Sequence, residues 1–470
     1  MNMKRLLIGI ICLCFLPNNS YCQLKARVDE RFELTSIVFA LAGVPEYCQI
    51  SIPSYKRDII KELTPYELTE PINYIRELHQ FHAIGYNAVS TTAAMLEIKD
   101  GKIQLQPQYS ISEISSADKR WTPELFSEYI TMLNQFYKDS NFHKFYKNHK
   151  KLYDIAEQRM DDILSDMSFD WFESFFGTKL DHDIDVYVSL VNGPSNYAIP
   201  NGVLIGLSAG MDGLPITDKY YTTFLIVHEI GHHYTNPMFK TWWPQLENAA
   251  NIIYPHVQEQ MLKNAYGDAQ STMCEWLNNL FALMYMKDTN NSAFPIFVRS
   301  RIDKGFIWMQ RSIEFMENFY TYRNHYLYIN DFMPQIVSFA NYTANNFNFV
   351  IQEYETRNPY ITNIFPAADS DITNFDEIVI TFSEPMLGSW GFNGSGIKNS
   401  TVLCLPIQEV VWSDDLKQVR LLLDKSSYMP NQTYSIQLVP RAFQSSRCFP
   451  MNSSNNITTV QRNFLRHDLN

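Results

Sequence analysis

From about Val28 to about Asn358, apolar residues recur mainly at three-to-four spacing, which predicts helices. Residues 31–41 form the first such run. Thr122, Pro123 and Glu124 open a long one with a capping hydroxyl, a proline in the first turn and an acid. The aromatics that follow, Phe126, Tyr129, Phe136, Tyr137, Phe142, Phe145 and Tyr146, read as packing between helices. The period then drops to two over residues 183–190, and residues 202–207 follow a turn rich in Asn, Gly and Pro, so two strands precede the next helical run. Further helices are predicted over 271–286, 306–320 and 331–347. Near Pro359 the pattern changes to short alternating segments, 377–382, 418–423 and 433–439, separated by Gly, Asn, Asp and Pro. The expected fold class is therefore α+β: a mainly helical domain with a small sheet over residues 23–355, then an all-β sandwich over 356–470.

Composition supports a folded, exported chain. Of the 470 residues 46% are hydrophobic and 14% aromatic, enough to build a large core. Residues 1–22 read as a secretory signal peptide, with Lys4 and Arg5 ahead of an apolar run too short to span a membrane. The protein is thus expected to be secreted, periplasmic or at the cell surface. A lipid anchor on Cys22 calls for a small preceding residue, and Tyr21 stands there. Losing Lys4 and Arg5 takes the formal net charge from −12 to −14, and no basic cluster stands out; Lys144 to Lys151 reads as a solvated helix face. Nucleic acid is excluded as a partner on that ground. Of the four remaining cysteines, Cys404 and Cys448 are the natural candidates for a disulfide, since both lie in the C-terminal segment.

The run Phe224-Leu-Ile-Val-His228-Glu229-Ile-Gly-His232-His233 carries the candidate chemistry. Side chains four apart share a helix face, so His228 and His232 can direct nitrogens at one zinc ion, and Glu229 beside them can act as a general base toward a water that the cation activates. The four apolar residues before His228 suit a buried helix. Pro237 is expected to stop that helix soon after the second ligand. His233 points off the ligand face and reads as structural.

A catalytic zinc ordinarily takes a third protein ligand. A third histidine six residues past His232 is excluded, because Met238 stands there. In the segment after Met273, residues Met273, Trp276, Leu277, Leu280, Phe281 and Met284 form one apolar face, with Glu275, Asn278, Asn279 and Ala282 opposite. That second face lacks the charges of a wet surface, which favours a polar stripe facing a metal and Glu275 as ligand. Glu247, Glu259 and Asp268 compete with it. Tyr266 and His325 are candidate oxyanion donors, each read first as structural. A peptide substrate is expected to add as a strand beside residues 202–207.

With these residues the chain resembles the gluzincin class of zinc metallopeptidases. More closely, Val28-Asp-Glu-Arg-Phe-Glu-Leu, Asn134-Gln-Phe-Tyr-Lys-Asp-Ser-Asn-Phe, His228-Glu-Ile-Gly-His-His-Tyr-Thr-Asn-Pro and Ala265-Tyr-Gly look like a bacterial family known only as a domain of unknown function, over most of residues 25–350. The resemblance implies a zincin-like fold, His228, His232 and Glu275 as zinc ligands, Glu229 as base and a peptide or protein substrate. The family is more basic after that glutamate than Trp276-Leu-Asn-Asn, so no substrate contact from this helix carries over. Asn363-Ile-Phe-Pro, Ile378-Val-Ile-Thr-Phe-Ser-Glu-Pro-Met and Leu438-Val439 resemble a bacterial immunoglobulin-like domain, which implies a spacer or an adhesion module with a cell-surface or carbohydrate contact. The competing readings are a non-catalytic zinc-binding or adhesion protein on a peptidase scaffold and a zinc amidase acting on cell-wall peptides. Glu229 favours the enzyme, since a purely structural site needs no base.

Overall fold

Asp29 accepts a hydrogen bond from the Arg31 amide, so the first predicted helix begins there and runs as α1 (Glu30–Leu41). The computed structural model describes residues 24–216, 218–367, 370–395, 402–429, 431–452 and 459–464; the segment read as a signal, 1–22, lies outside them. The described chain divides into two compact units, one holding residues up to Ser168 and Asp181–Ile230, the other Phe169–Leu180 and everything from Gly231 onward.

In the first unit α1 is buried almost all round, with Phe32, Ile37 and Phe39 inaccessible to solvent. Around it stand α2 (Pro53–Glu62), α3 (Asn87–Met95) and α4 (Lys150–Leu164). The two predicted strands, β2 (Asp185–Ser189) and β4 (Gly202–Gly206), join the unpredicted β1 (Ala26–Arg27) and β3 (Asn196–Ile199) in one sheet, in the order β1-β2-β4-β3. Strands β1, β2 and β4 run parallel, and β3 closes the sheet antiparallel to β4. Tyr187, Leu204 and Ile199 on the sheet pack with Phe32 of α1 and Ala93 of α3. This corrects one expectation: β4 pairs on both sides and offers no edge to a substrate strand, because the turn before it folds β3 back onto it.

Glu33 on α1 is a buried carboxyl. One oxygen accepts from the Leu190 amide at 3.0 Å, the other from the Tyr55 hydroxyl at 2.7 Å, and Tyr55 meets the Tyr153 hydroxyl at 2.8 Å. The cluster pins α1, α2, α4 and the end of β2 together. Burial pushes the Glu33 carboxyl above its ordinary value of 4.5, so the folded state favours the protonated form. Its contribution to stability is then fully present below about pH 4.5 and is lost as pH rises through the folded value. Glu33→Gln, which keeps the shape without the ionisation, should gain stability relative to the parent as pH rises from 4 to 7, read as denaturant midpoints at each pH. An unchanged difference across that range would mean that Glu33 does not titrate on unfolding.

The second unit holds α5 (Asp170–Phe176) and most of α6 (Lys219–Lys263), then α7 (Ala269–Asp288), α8 (Phe294–Asp303), α9 (Met309–Thr321), α10 (Ile329–Asn345) and α11 (Phe347–Glu355). Helix α6 overturns the expected stop at Pro237, since it continues to Lys263 through Pro237, Pro244 and Pro255. An interior proline costs about 3 kcal/mol through a lost hydrogen bond and a clash. All three lie on the exposed face, where a helix wrapping a core opens its hydrogen bonds most readily. On the other face Phe239, Leu246, Ala250, Ile253, Val257 and Met261 stay buried and hold the helix through.

Past Pro359 the three predicted strands and four further ones form two sheets, β5 (Ile361–Phe365), β6 (Glu377–Phe382), β8 (Ile407–Trp412) and β9 (Gln418–Leu423) in one, β7 (Val402–Cys404), β10 (Gln432–Gln437) and β11 (Thr459–Phe464) in the other. The first sheet is antiparallel throughout. Ile378, Ile380 and Phe382, alternating along β6, meet Val419, Leu421, Tyr434 and Ile436 in one core shared by both sheets. These strands group with the helices of the second unit. Arg299 donates to the Cys448 carbonyl at 2.6 Å and Asn358 to the Pro450 carbonyl at 2.8 Å. The architecture is α+β, as expected. The candidate disulfide does not form: Cys404 is exposed, Cys448 is buried, and both are free thiols. Among the described residues no helix is long and apolar enough to cross a membrane.

Candidate metal centre

In its early turns helix α6 buries Phe224, Ile226, Val227 and Ile230, which carries His228 and Glu229 inside with them, each under one tenth exposed. The His228 ring lies over that of Phe224 with centroids 6.2 Å apart. One turn on, His232 projects from the same face.

The Asp268 carboxylate caps α7 by accepting from the Ser271 amide at 2.6 Å, which fixes where the helix begins and how it is turned. Its apolar face is buried as expected, and so are Asn278, Asn279 and Ala282 opposite. The second face is therefore an internal polar stripe. Asn279 also anchors it, donating to the Glu275 carbonyl at 2.7 Å and accepting from the buried Arg301 at 2.9 Å. A side chain at Gly231 would meet Asn278 Oδ1 at 2.7 Å, so glycine at that position lets α6 and α7 approach closely.

That approach brings Glu275 Oε1 to 3.4 Å from His232 Nε2. One ligand atom from each of His228, His232 and Glu275 lies within 4.8 Å of the others, a group that could hold a metal ion. Both groups facing each other across α6 and α7 are held from behind. Tyr266 donates its hydroxyl to Glu275 Oε2 at 3.2 Å. His232 Nδ1 lies 3.1 Å from Asn236 Oδ1, and an amide oxygen only accepts, so Nδ1 is the donor there and, in the neutral ring, Nε2 is the nitrogen left with a lone pair for a metal. This is how metal-ligating histidines are usually fixed. The Cys274 thiol donates to the same amide oxygen at 3.4 Å. Burial, with Glu275 beside it, pushes that thiol up to about 12, and Cys274 is not part of the ligand group.

Of the candidates, His228, His232 and Glu275 come together from two helices, Glu229 is buried next to His228 in the chain, and the competitors lie outside the group. Glu259 is exposed and pairs with Lys263 at 2.7 Å, Asp268 is the α7 cap, and Glu247 is exposed. His233 lies outside the ligand group. Tyr266 orients Glu275, and His325 is exposed. Two positions escaped the sequence. Asn236 could have been found, since it follows His232 by one helical turn. Tyr234 could not: it stacks on Phe172 and Phe176 of α5, with centroids 5.6 and 4.7 Å away, and α5 is far off in the chain. Two imidazoles and one carboxylate are the donor set of a catalytic zinc that keeps a fourth position open. Comparison of the chain with protein-family models, with curated proteins and with solved structures found no match.

Proposed function

We propose that this chain is a zinc-dependent metallopeptidase, exported from the cytosol, in which His228, His232 and Glu275 hold the ion and Glu229 is the general base. The observation that carries the reading is the grouping of those three ligand atoms within 4.8 Å, with a glutamate immediately after the first histidine. A zinc ion bound there supplies a Lewis acid that makes water nucleophilic near neutral pH.

The rest falls to the chain's own side chains. Glu229, under one tenth exposed, is read as the group that takes the proton from the attacking water and returns it to the leaving amine. Its burial keeps bulk water from competing for that proton. Asn236 and Tyr266 hold His232 and Glu275 in register, so the ligands need not reorganise during the reaction. The two sheets after Pro359 are read as an accessory immunoglobulin-like module.

The test is cleavage of a mixed peptide library by the purified, zinc-loaded chain. Products should appear, vanish on chelation and return when zinc is restored. Bound zinc without cleavage of any peptide would leave a non-catalytic site and defeat the peptidase reading.

A further inference from the structure

A cavity of about 850 Å³ opens in the second unit among α8, α9, α10 and α11, with Arg447 and Phe449 of the C-terminal strand region completing its wall. None of the metal-centre residues lines it. Its size falls in the roughly 300–1,000 Å³ range of pockets that bury small ligands.

The wall is amphiphilic in a particular way. Phe315 and Phe339 stack with centroids 4.5 Å apart, and Tyr342 beside them is 63% exposed. The same wall includes planar groups that present donors and acceptors side by side: the amides of Gln310 and Gln335 and the two-pronged Arg311–Glu353 ion pair. Charge is balanced. Of the three guanidiniums in the wall Arg311 pairs with Glu353, Arg447 with Glu384 at 2.8 Å and Arg357 with Asp303 at 3.9 Å, and Glu314 adds a further carboxylate.

Each feature removes a ligand class. Balanced charge argues against phosphate-rich or polyanionic ligands, which call for uncompensated Arg or Lys. Walls made of helices offer no strand edge on which a peptide backbone could pair. What fits is a neutral ligand with flat apolar faces and adjacent hydroxyls. A pyranose ring has both, its C–H face packing on the exposed ring of Tyr342 while neighbouring hydroxyls each donate and accept along the planar side chains.

We infer that this cavity is a binding site for a neutral oligosaccharide. It lies chiefly in the helical part of the unit and does not depend on the peptidase reading. Glycan recognition there would direct the metal centre toward glycosylated proteins or a polysaccharide-coated surface.

The experiment uses the purified full chain and a panel of short neutral oligosaccharides: β-1,4-linked glucose, β-1,4-linked N-acetylglucosamine, α-1,4-linked glucose, β-linked galactose and α-linked mannose. Saturation-transfer NMR should show at least one binder with a dissociation constant of about 1 mM or tighter. Tyr342→Ala and Gln335→Ala, both at exposed positions, should each weaken that binder roughly tenfold with the melting temperature unchanged. No binder in the panel would overturn the inference. So would binding that survives both substitutions, which places the sugar elsewhere, or binding confined to a glucuronate oligomer run alongside, which makes the ligand anionic.

Discussion

Glu275→Ala should weaken zinc binding by far more than the about 10- to 100-fold that follows the loss of an outer partner, while Glu247→Ala should leave it near normal. Competition with a chelator of known affinity reads both. The asymmetry follows from position: Glu275 Oε1 is 3.4 Å from His232 Nε2 and inside the ligand group, while Glu247 is exposed on α6. Removing a first ligand deletes a metal bond; removing a solvated carboxylate deletes almost nothing. Asn236→Ala supplies the internal scale. It leaves all three ligands in place and frees only the orientation of His232, so its loss should fall in the 10- to 100-fold range and between the other two. Equal affinities for Glu275→Ala and Glu247→Ala would remove Glu275 from the site.

Glu229→Gln should lower kcat by about 10²–10⁴-fold or more while zinc affinity stays within a few-fold of the parent. The amide preserves shape and burial but cannot accept the proton. Retained zinc separates this outcome from a collapsed site, and retained cleavage would show that Glu229 is not the base.

Several parts of this arrangement were legible in the chain. The period-two run before His228 gave β2, and the apolar positions of α7 gave a helix whose second face, poor in charge, turned out buried at Asn278 and Asn279. Absence of charge was informative because a solvated helix face of that length normally carries several. The end of α6 was not legible. A proline's local cost is visible in sequence, but the burial of Phe239, Leu246 and Ile253 that offsets it depends on helices packed against them. The edge strand was missed for a related reason: residues 196–199 are too short and too mixed to announce a strand, yet they pair with β4 and cover it. Glu33 was hidden because a charged residue within an apolar helix reads as its wet face until the Tyr55 and Leu190 donors are in place. The composition shift at Pro359 marks the change from helix to strand, while the division into compact units falls between Ile230 and Gly231, inside α6.

The central claim is that His228, His232 and Glu275 hold zinc, and the metal content of the purified full chain tests it most directly. Elemental analysis after dialysis, repeated after zinc is added and the excess removed, should give about one zinc per chain, as a single site of two imidazoles and one carboxylate requires. A chain that carries no zinc after purification and takes up none when it is offered would contradict the account.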